Sequence, residues 1–533
     1  MTASTDGASL LETYNVYDDR GLLRYVLSPD ASHRLSATIN ETVLKQFAYS
    51  YDYDLRGRMT VKRQPGCEPV YMVYDNKDRL VLSQDGKQRA ENANKWSYSL
   101  YDKKNRVTES GEVVLANTTS HTALQAVASA SDNYTPTGTR TALQYNLYDS
   151  YTASANVPVH AFIATADYST DYHKLVTGLI TSTRIKVLDA VPEKWLTITT
   201  YYDDKDQIIQ TVSDNLQGYK SQYNVQYDFS GRVVKERESH KISSTVTDIV
   251  ETVHRYDDQS RLLSSMTTLN SGTPAVTTYA YDAIGRCTSR TVGNTTESMN
   301  YNVRGWLTSK TSPQFKMNLR YQSTAGGTTA RWNGNISEWD WQHGSNPALM
   351  YGFTYDSANR LKATTQKQKS GSSWTNISGY DEKGITYDLN GNLLTLQRTA
   401  AGTTIDNLLY GYTGNKLSQL TESVRTAPAN DIYAPGSTAS GTYSYDANGN
   451  MVSDSRKGLT FTYNLLNLPT EVKQGTSTKA KYTWLVDGSK LRVRDAGSNG
   501  FDYLGSLTYA SGSSGLRLES AGFTGGVIRV SGT

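Results

Sequence analysis

Cysteine is nearly absent, with 2 in 533 residues. Cys67 and Cys287 lie far apart and form no Cys-x-x-Cys, which excludes four-cysteine and mixed Cys/His zinc sites. No apolar run approaches the roughly 18 residues that cross a bilayer as a helix, so membrane insertion is not expected. The opening residues, MTASTDGASLLETYNVYDD, hold neither a basic stretch nor an apolar one and do not read as a signal peptide. Charge of one sign is missing too. The 54 basic residues balance 51 acidic ones for a formal net of +3, which leaves no basic excess to hold a phosphate backbone, and nucleic-acid binding is not expected. Phenylalanine is scarce, 8 against 39 tyrosines. Tyrosine buries a ring while its hydroxyl stays wet or hydrogen-bonded. Such a preference points to many half-buried positions and to sheets with one wet face.

Catalytic and metal motifs are also lacking. The histidines, His33, His121, His160, His173, His240, His254 and His343, form no His-x-x-x-His or His-Glu-x-x-His. There is no Gly-x-Ser-x-Gly elbow, phosphate-binding loop or dinucleotide fingerprint. The pairs Asp203-Asp204 and Asp257-Asp258 put their carboxylates on opposite faces of a strand, where they cannot face each other across a sugar. No enzyme, cofactor or metal is expected. The Asn-Gly-Asn triplets at Asn333, Asn390 and Asn448 read as hairpin turns, because a calcium loop needs six or more oxygens from a carboxylate-rich segment.

What is present is a repeat. YDLRGRMTVK begins at Tyr53, YDFSGRVVKE at Tyr227, YDAIGRCTSR at Tyr281 and YDANGNMVSD at Tyr445. Related copies begin at Tyr17, Tyr74, Tyr101, Tyr202, Tyr256, Tyr301, Tyr355, Tyr387 and Tyr463. Where they are dense, successive copies lie about 20–30 residues apart, a spacing typical of stacked units. Residues before each Tyr alternate with aromatic and Thr enrichment, which marks a half-buried strand. Asp54, Asp228, Asp282 and Asp446 then open the turn, since an Asp side chain accepts from backbone two residues on. Gly57, Gly231, Gly285 and Gly449 supply the positive φ of a type I turn with a bulge. Arg58, Arg232 and Arg286 follow and are read as pairing back across the turn, an exposed ion pair of roughly 0–1 kcal/mol that fixes its shape. Asn392 and Asn450 replace Arg without other change, which argues against repeated anion sites. A lone hairpin is marginal in water. Each copy must be covered by the next, so the repeats imply a long, continuous, curling sheet.

These Tyr-Asp-x-x-Gly-Arg hairpins resemble the YD repeats of rearrangement-hotspot (RHS) proteins and of teneurin shells, from about Tyr17 to about Gly505. The stretches RWNGNISEWDW (331–341) and YDANGNMVSDSRKGLTFTYNLLNLPTEV (445–472) look particularly like large secreted bacterial members. The resemblance implies an all-β fold of tandem hairpins forming a spiral that closes into a hollow shell. In bacterial members the shell encloses a C-terminal toxin. In teneurins it is a cell-surface adhesion scaffold. The family's core region carries an Asp-Pro-x-Gly type motif and the aspartates that free the toxin. No Asp-Pro occurs here, so no catalytic residue is carried over. Part of a shell, truncated before a core region, is therefore expected.

The expected organisation is hairpin repeats over 1–110, an irregular insertion over 111–198 that returns to strands, and hairpin repeats over 199–533. Within the insertion, residues 122–129 have small-residue helical character. Loop-like interruptions lie at 326–346, 370–379 and 426–441. The candidate binding platform is Trp332, Trp339 and Trp341, which suit stacking on sugar rings, although filling sheet core beneath a loop is the weightier reading. The functional expectation is a non-enzymatic scaffold, part of a shell that encloses or presents an effector domain absent from this chain, extracellular or at the cell surface. The alternative is a surface adhesin that binds cell-surface glycan.

Overall fold

The computed structural model describes residues 2–5, 10–35, 39–117, 119–377, 379–424, 440–512 and 515–530. The fold is all-β: the described residues form forty strands and four short helices. Two compact units are distinguished, residues 1–72, 84–91 and 296–460 in the first, and 73–83, 92–295 and 461–533 in the second.

In the second unit an unbroken antiparallel ladder runs from strand Lys95–Tyr101 to strand Cys287–Val292, each strand paired with the next in sequence. A further ladder runs from strand Pro469–Gln474 to strand Gly526–Arg529. Apolar clusters join the two. Ile185, Val187 and Leu196 pack on Leu485, and Val250 packs on Leu507, Tyr509 and Ala521. Burial of such side chains is worth about 1.5–3 kcal/mol each, so these patches, not the turns, hold the layers together.

The expected boundary at residue 111 falls inside strand Val107–Leu115, which pairs along its length with strand Gly138–Tyr148. Between these strands lies helix His121–Ser129, capped by the Ser120 hydroxyl accepting from the Ala123 N–H. No strand occurs between Tyr148 and Ile180. This segment lays Tyr151, Phe162 and Tyr172 around Tyr201, with ring centres 4.8, 5.3 and 4.6 Å from it. Residues without a period in sequence thus still supply core.

In the first unit the ladder runs from strand Leu307–Thr311 to strand Ser373–Asn376, and again from strand Glu382–Tyr387 to strand Ser440–Tyr445. Two interruptions expected as loops contain strands, Glu338–His343 and Ser373–Asn376. Residues 425–439, most of the third, lie outside the described residues. Cys67 and Cys287 are free thiols. Among the described residues no helix is long and apolar enough to cross a membrane.

Candidate functional site

The repeated turn is the unit from which any site must be built. At residues 53–58, Asp54 N–H donates to Arg58 O and Gly57 N–H to Asp54 O, both at 3.0 Å. Asp54 Oδ1 accepts from the N–H groups of Arg56 and Arg58 at 2.9 Å, while Oδ2 accepts from Arg58 Nε at 2.7 Å. One carboxylate therefore satisfies three donors of its own turn. The pattern recurs at Asp228 with Ser230 and Arg232 and at Asp282 with Ile284 and Arg286. At Asp446 the Asn450 amide replaces the guanidinium and reaches Oδ2 at 2.9 Å. The Asp54, Asp228 and Asp282 carboxyls sit below the ordinary carboxylate range, because hydrogen bonds from the paired Arg and the turn amides outweigh desolvation.

Gly57, Gly231, Gly285 and Gly449 have φ of 78°, 79°, 88° and 89°. Asp78, Asn105, Asp206, Ser260 and Asn359 take the same role with φ near 60°. In these hairpins the register slips at the tyrosine, between Asp52 and Tyr53, Gln226 and Tyr227, Ala280 and Tyr281, and Ser444 and Tyr445. That bulge turns the ring toward the neighbouring hairpin.

The arginine does more than close its own turn. Arg232 Nη1 donates to Asp257 O of the next hairpin at 3.1 Å, and its guanidinium covers the Tyr256 ring at 5.1 Å. Tyr256 Oη in turn donates to Val233 O at 2.9 Å. The same three contacts link Arg261 to Asp282 and Tyr281, and Arg360 to Asp388 and Tyr387. Reading Arg as an intra-turn ion pair found one of its partners. The second partner lies 21 to 28 residues onward, and its only sequence signal is the repeat spacing.

Two Asn-Gly-Asn turns have a further use. Asn390 Oδ1 accepts from Asp30 N–H in helix Pro29–Arg34 at 2.9 Å. Asn448 Oδ1 accepts from Lys87 N–H in helix Gly86–Glu91 at 3.0 Å, and its amide donates to Asp85 Oδ2 at 2.8 Å. Helix first turns leave N–H groups without internal partners, and these asparagines satisfy them.

The tryptophans separate into two places. Trp339 and Trp341 share one face of strand Glu338–His343, with ring centres 4.7 Å apart, and Trp341 stacks on Tyr351 at 5.3 Å. Tyr351 lies directly opposite Trp339 across the ladder. All three rings are half-exposed. Trp332 is 66% exposed and makes no ring contact with the other two. The other face carries Glu338, fully buried. Its carboxylate accepts from the N–H groups of Ala325, Gly326 and Thr328 and from the Thr328 hydroxyl. The loop thus folds over the acid face, and the indoles lie half-buried on the other.

No family model matches the chain, and no curated protein matches it. Solved structures do. The crystal structure of TcdB2-TccC3-Cdc42 matches 98% of this chain with a TM-score of 0.65 at 14% identity. That of TcdB2-TccC3 matches 97% at 0.64 and 14% identity. TcdB2-TccC3 without its hypervariable C-terminal region matches 97% at 0.59 and 15% identity. This chain spans 25%, 24% and 24% of those chains. The likeness is one of fold: the long antiparallel hairpin sheets of this chain recur in those chains.

Proposed function

We propose that the chain is part of an RHS-type shell that encloses or presents a C-terminal effector of a large secreted or surface bacterial protein. The carrying observation is the Asp–Arg–Tyr linkage, which fastens successive hairpins at Arg232, Arg261 and Arg360 and suits a wall without a thick apolar core. The fold likeness supports the reading, because it extends over nearly the whole chain. One matching structure is described by the absence of a hypervariable C-terminal region, the position this reading gives to the effector. The role of the hairpins in it is structural, and the site of action is extracellular or at the cell surface.

The test is protease protection of the product of the longest reading frame that contains this chain. Under native conditions the segment beyond residue 533 is expected to resist trypsin. It should be cut once denaturant opens the sheet. Equal cutting rates in both states would remove the enclosure reading.

A second reading, a surface module that binds carbohydrate, rests on the half-exposed Trp339, Trp341 and Tyr351 rings. Binding to a glycan array that disappears in Trp341→Ala supports it. An array without signal removes it.

A further inference from the structure

One side-chain cluster in the second unit carries chemistry that neither reading uses. Strands Lys220–Tyr227 and Val233–Lys241 pair with Ser221 directly opposite His240. Ser221 Oγ lies 2.8 Å from His240 Nδ1. On the far side of the ring, Nε2 lies 3.2 Å from Glu238 Oε2. Glu238 precedes His240 by two residues on the strand and so shares its face. Its Oε2 also accepts from the Ser506 N–H at 2.8 Å and the Ser506 hydroxyl at 3.0 Å. Burial resists ionisation of Glu238, but His240 and Ser506 outweigh it and hold the carboxyl below its ordinary range. An ionised carboxylate only accepts, so Nε2 carries the hydrogen and Nδ1 keeps its lone pair for the Ser221 hydroxyl. A Cβ on Gly505 would fall 2.2 Å from Glu238 Oε2 and 3.0 Å from His240 Nε2, so glycine is what lets the turn close over the pair.

We propose that Ser221, His240 and Glu238 form a nucleophilic site that hydrolyses small carboxylic esters with short apolar acyl chains. Ser221 and His240 line a cavity of about 240 Å³ whose other walls include Leu196, Leu216, Leu485 and Leu491. The leucines suit a short acyl chain, and Asp214, Asp487 and Asp502 also line the cavity. Asn215 Nδ2 donates to Lys241 O at 2.9 Å and lies 3.5 Å from Ser221 Oγ, which holds the hydroxyl in place beside the ring. Ser221 Oγ attacks the carbonyl carbon as its proton passes to His240 Nδ1. Glu238 steadies the imidazolium. The bond from the carbonyl carbon to the alcohol oxygen breaks, and the alcohol leaves with that proton. Water then attacks the acyl-serine through the same imidazole, which releases the acid and restores Ser221. Ser221 and His240 are the catalytic residues, and Glu238 positions the ring.

The test is covalent labelling of the full chain with a fluorophosphonate, mapped by mass spectrometry, alongside hydrolysis of p-nitrophenyl butyrate. The label is expected on Ser221. Hydrolysis should fall at least about tenfold in Ser221→Ala and in His240→Gln. Glu238→Gln removes the charge that favours the imidazolium, so the acid limb of the pH–rate profile should move to lower pH, a shift that loss of a merely structural contact would not cause. Labelling is read on the unsubstituted chain and does not depend on any variant folding. No adduct on Ser221, or equal hydrolysis by Ser221→Ala of unchanged Tm, overturns the proposal.

Discussion

The Arg232 guanidinium lies 5.1 Å from the centre of the Tyr256 ring, although the two residues belong to successive hairpins. The same tyrosine returns a hydrogen bond to Val233 O, next to Arg232 in the chain. This hairpin thus grips the next with a cation over a ring and a hydroxyl on a carbonyl. Tyr256→Phe keeps the ring and removes the hydroxyl, so it should cost about 1 kcal/mol in urea unfolding. A double-mutant cycle of Arg232→Ala and Tyr256→Leu should show a coupling of about 0.5–1 kcal/mol. Additivity of the two would mean that the stack contributes nothing.

Gly231 tests the turn itself. Its φ is 79°, and a Cβ there would lie 2.9 Å from the Gln207 amide nitrogen. The amide is the end of a flexible side chain and can move, so the backbone conformation sets the cost. Gly231→Ala should destabilise by about 1–2 kcal/mol, and Gly231→Asn by less, as the asparagines at equivalent turns imply. Equal losses for Ala and Asn would place the cost in crowding instead.

Glu338 should behave unlike the exposed acids. Its carboxylate satisfies three backbone N–H groups and one hydroxyl of a single loop. Glu338→Ala would leave those donors without a partner, at about 3 kcal/mol or more. Amide exchange over residues 323–337 should accelerate before the flanking strands lose protection.

Glu236 should contribute measurably to acid sensitivity. His254 Nε2 lies 3.1 Å from its Oε1, and this hydrogen bond holds the carboxyl below its ordinary range against desolvation. The folded value is below the unfolded one of about 4.3, so the pair stabilises fully above that pH and the gain is lost as pH falls through the folded value. Glu236→Gln should lower stability at pH 6 and flatten the decline between about pH 4.5 and pH 3. An unchanged slope would assign the acid loss to other groups.

The local parts of this protein were legible because their causes lie within about ten residues. Asp at the turn start, a positive-φ residue three positions later and alternating aromatics before the tyrosine each act on their own backbone. The hairpin, its bulge and the all-β class follow from them. The helix was legible for the same reason, as a run of small residues over 122–129, and the structure adds its Ser120 cap. Trp339 and Trp341 fall on one face because a strand alternates. Trp332, close in sequence, stays apart because it lies outside that strand, in the loop before it.

Tertiary structure decided the partners that no period encodes. Arg232 finds Tyr256 only once the hairpins stack in register. Asn390 meets a helix 360 residues away, and Ser506 meets Glu238 across 268 residues. These contacts depend on which layer closes over which. That choice comes from burying scattered apolar patches such as Val250 with Leu507 and Tyr509, and burial is non-directional, carrying no spacing that a sequence can display. Turn chemistry therefore wrote the repeat into the sequence and set Ser221, His240 and Glu238 side by side in one hairpin, while packing alone brought Ser506 to them.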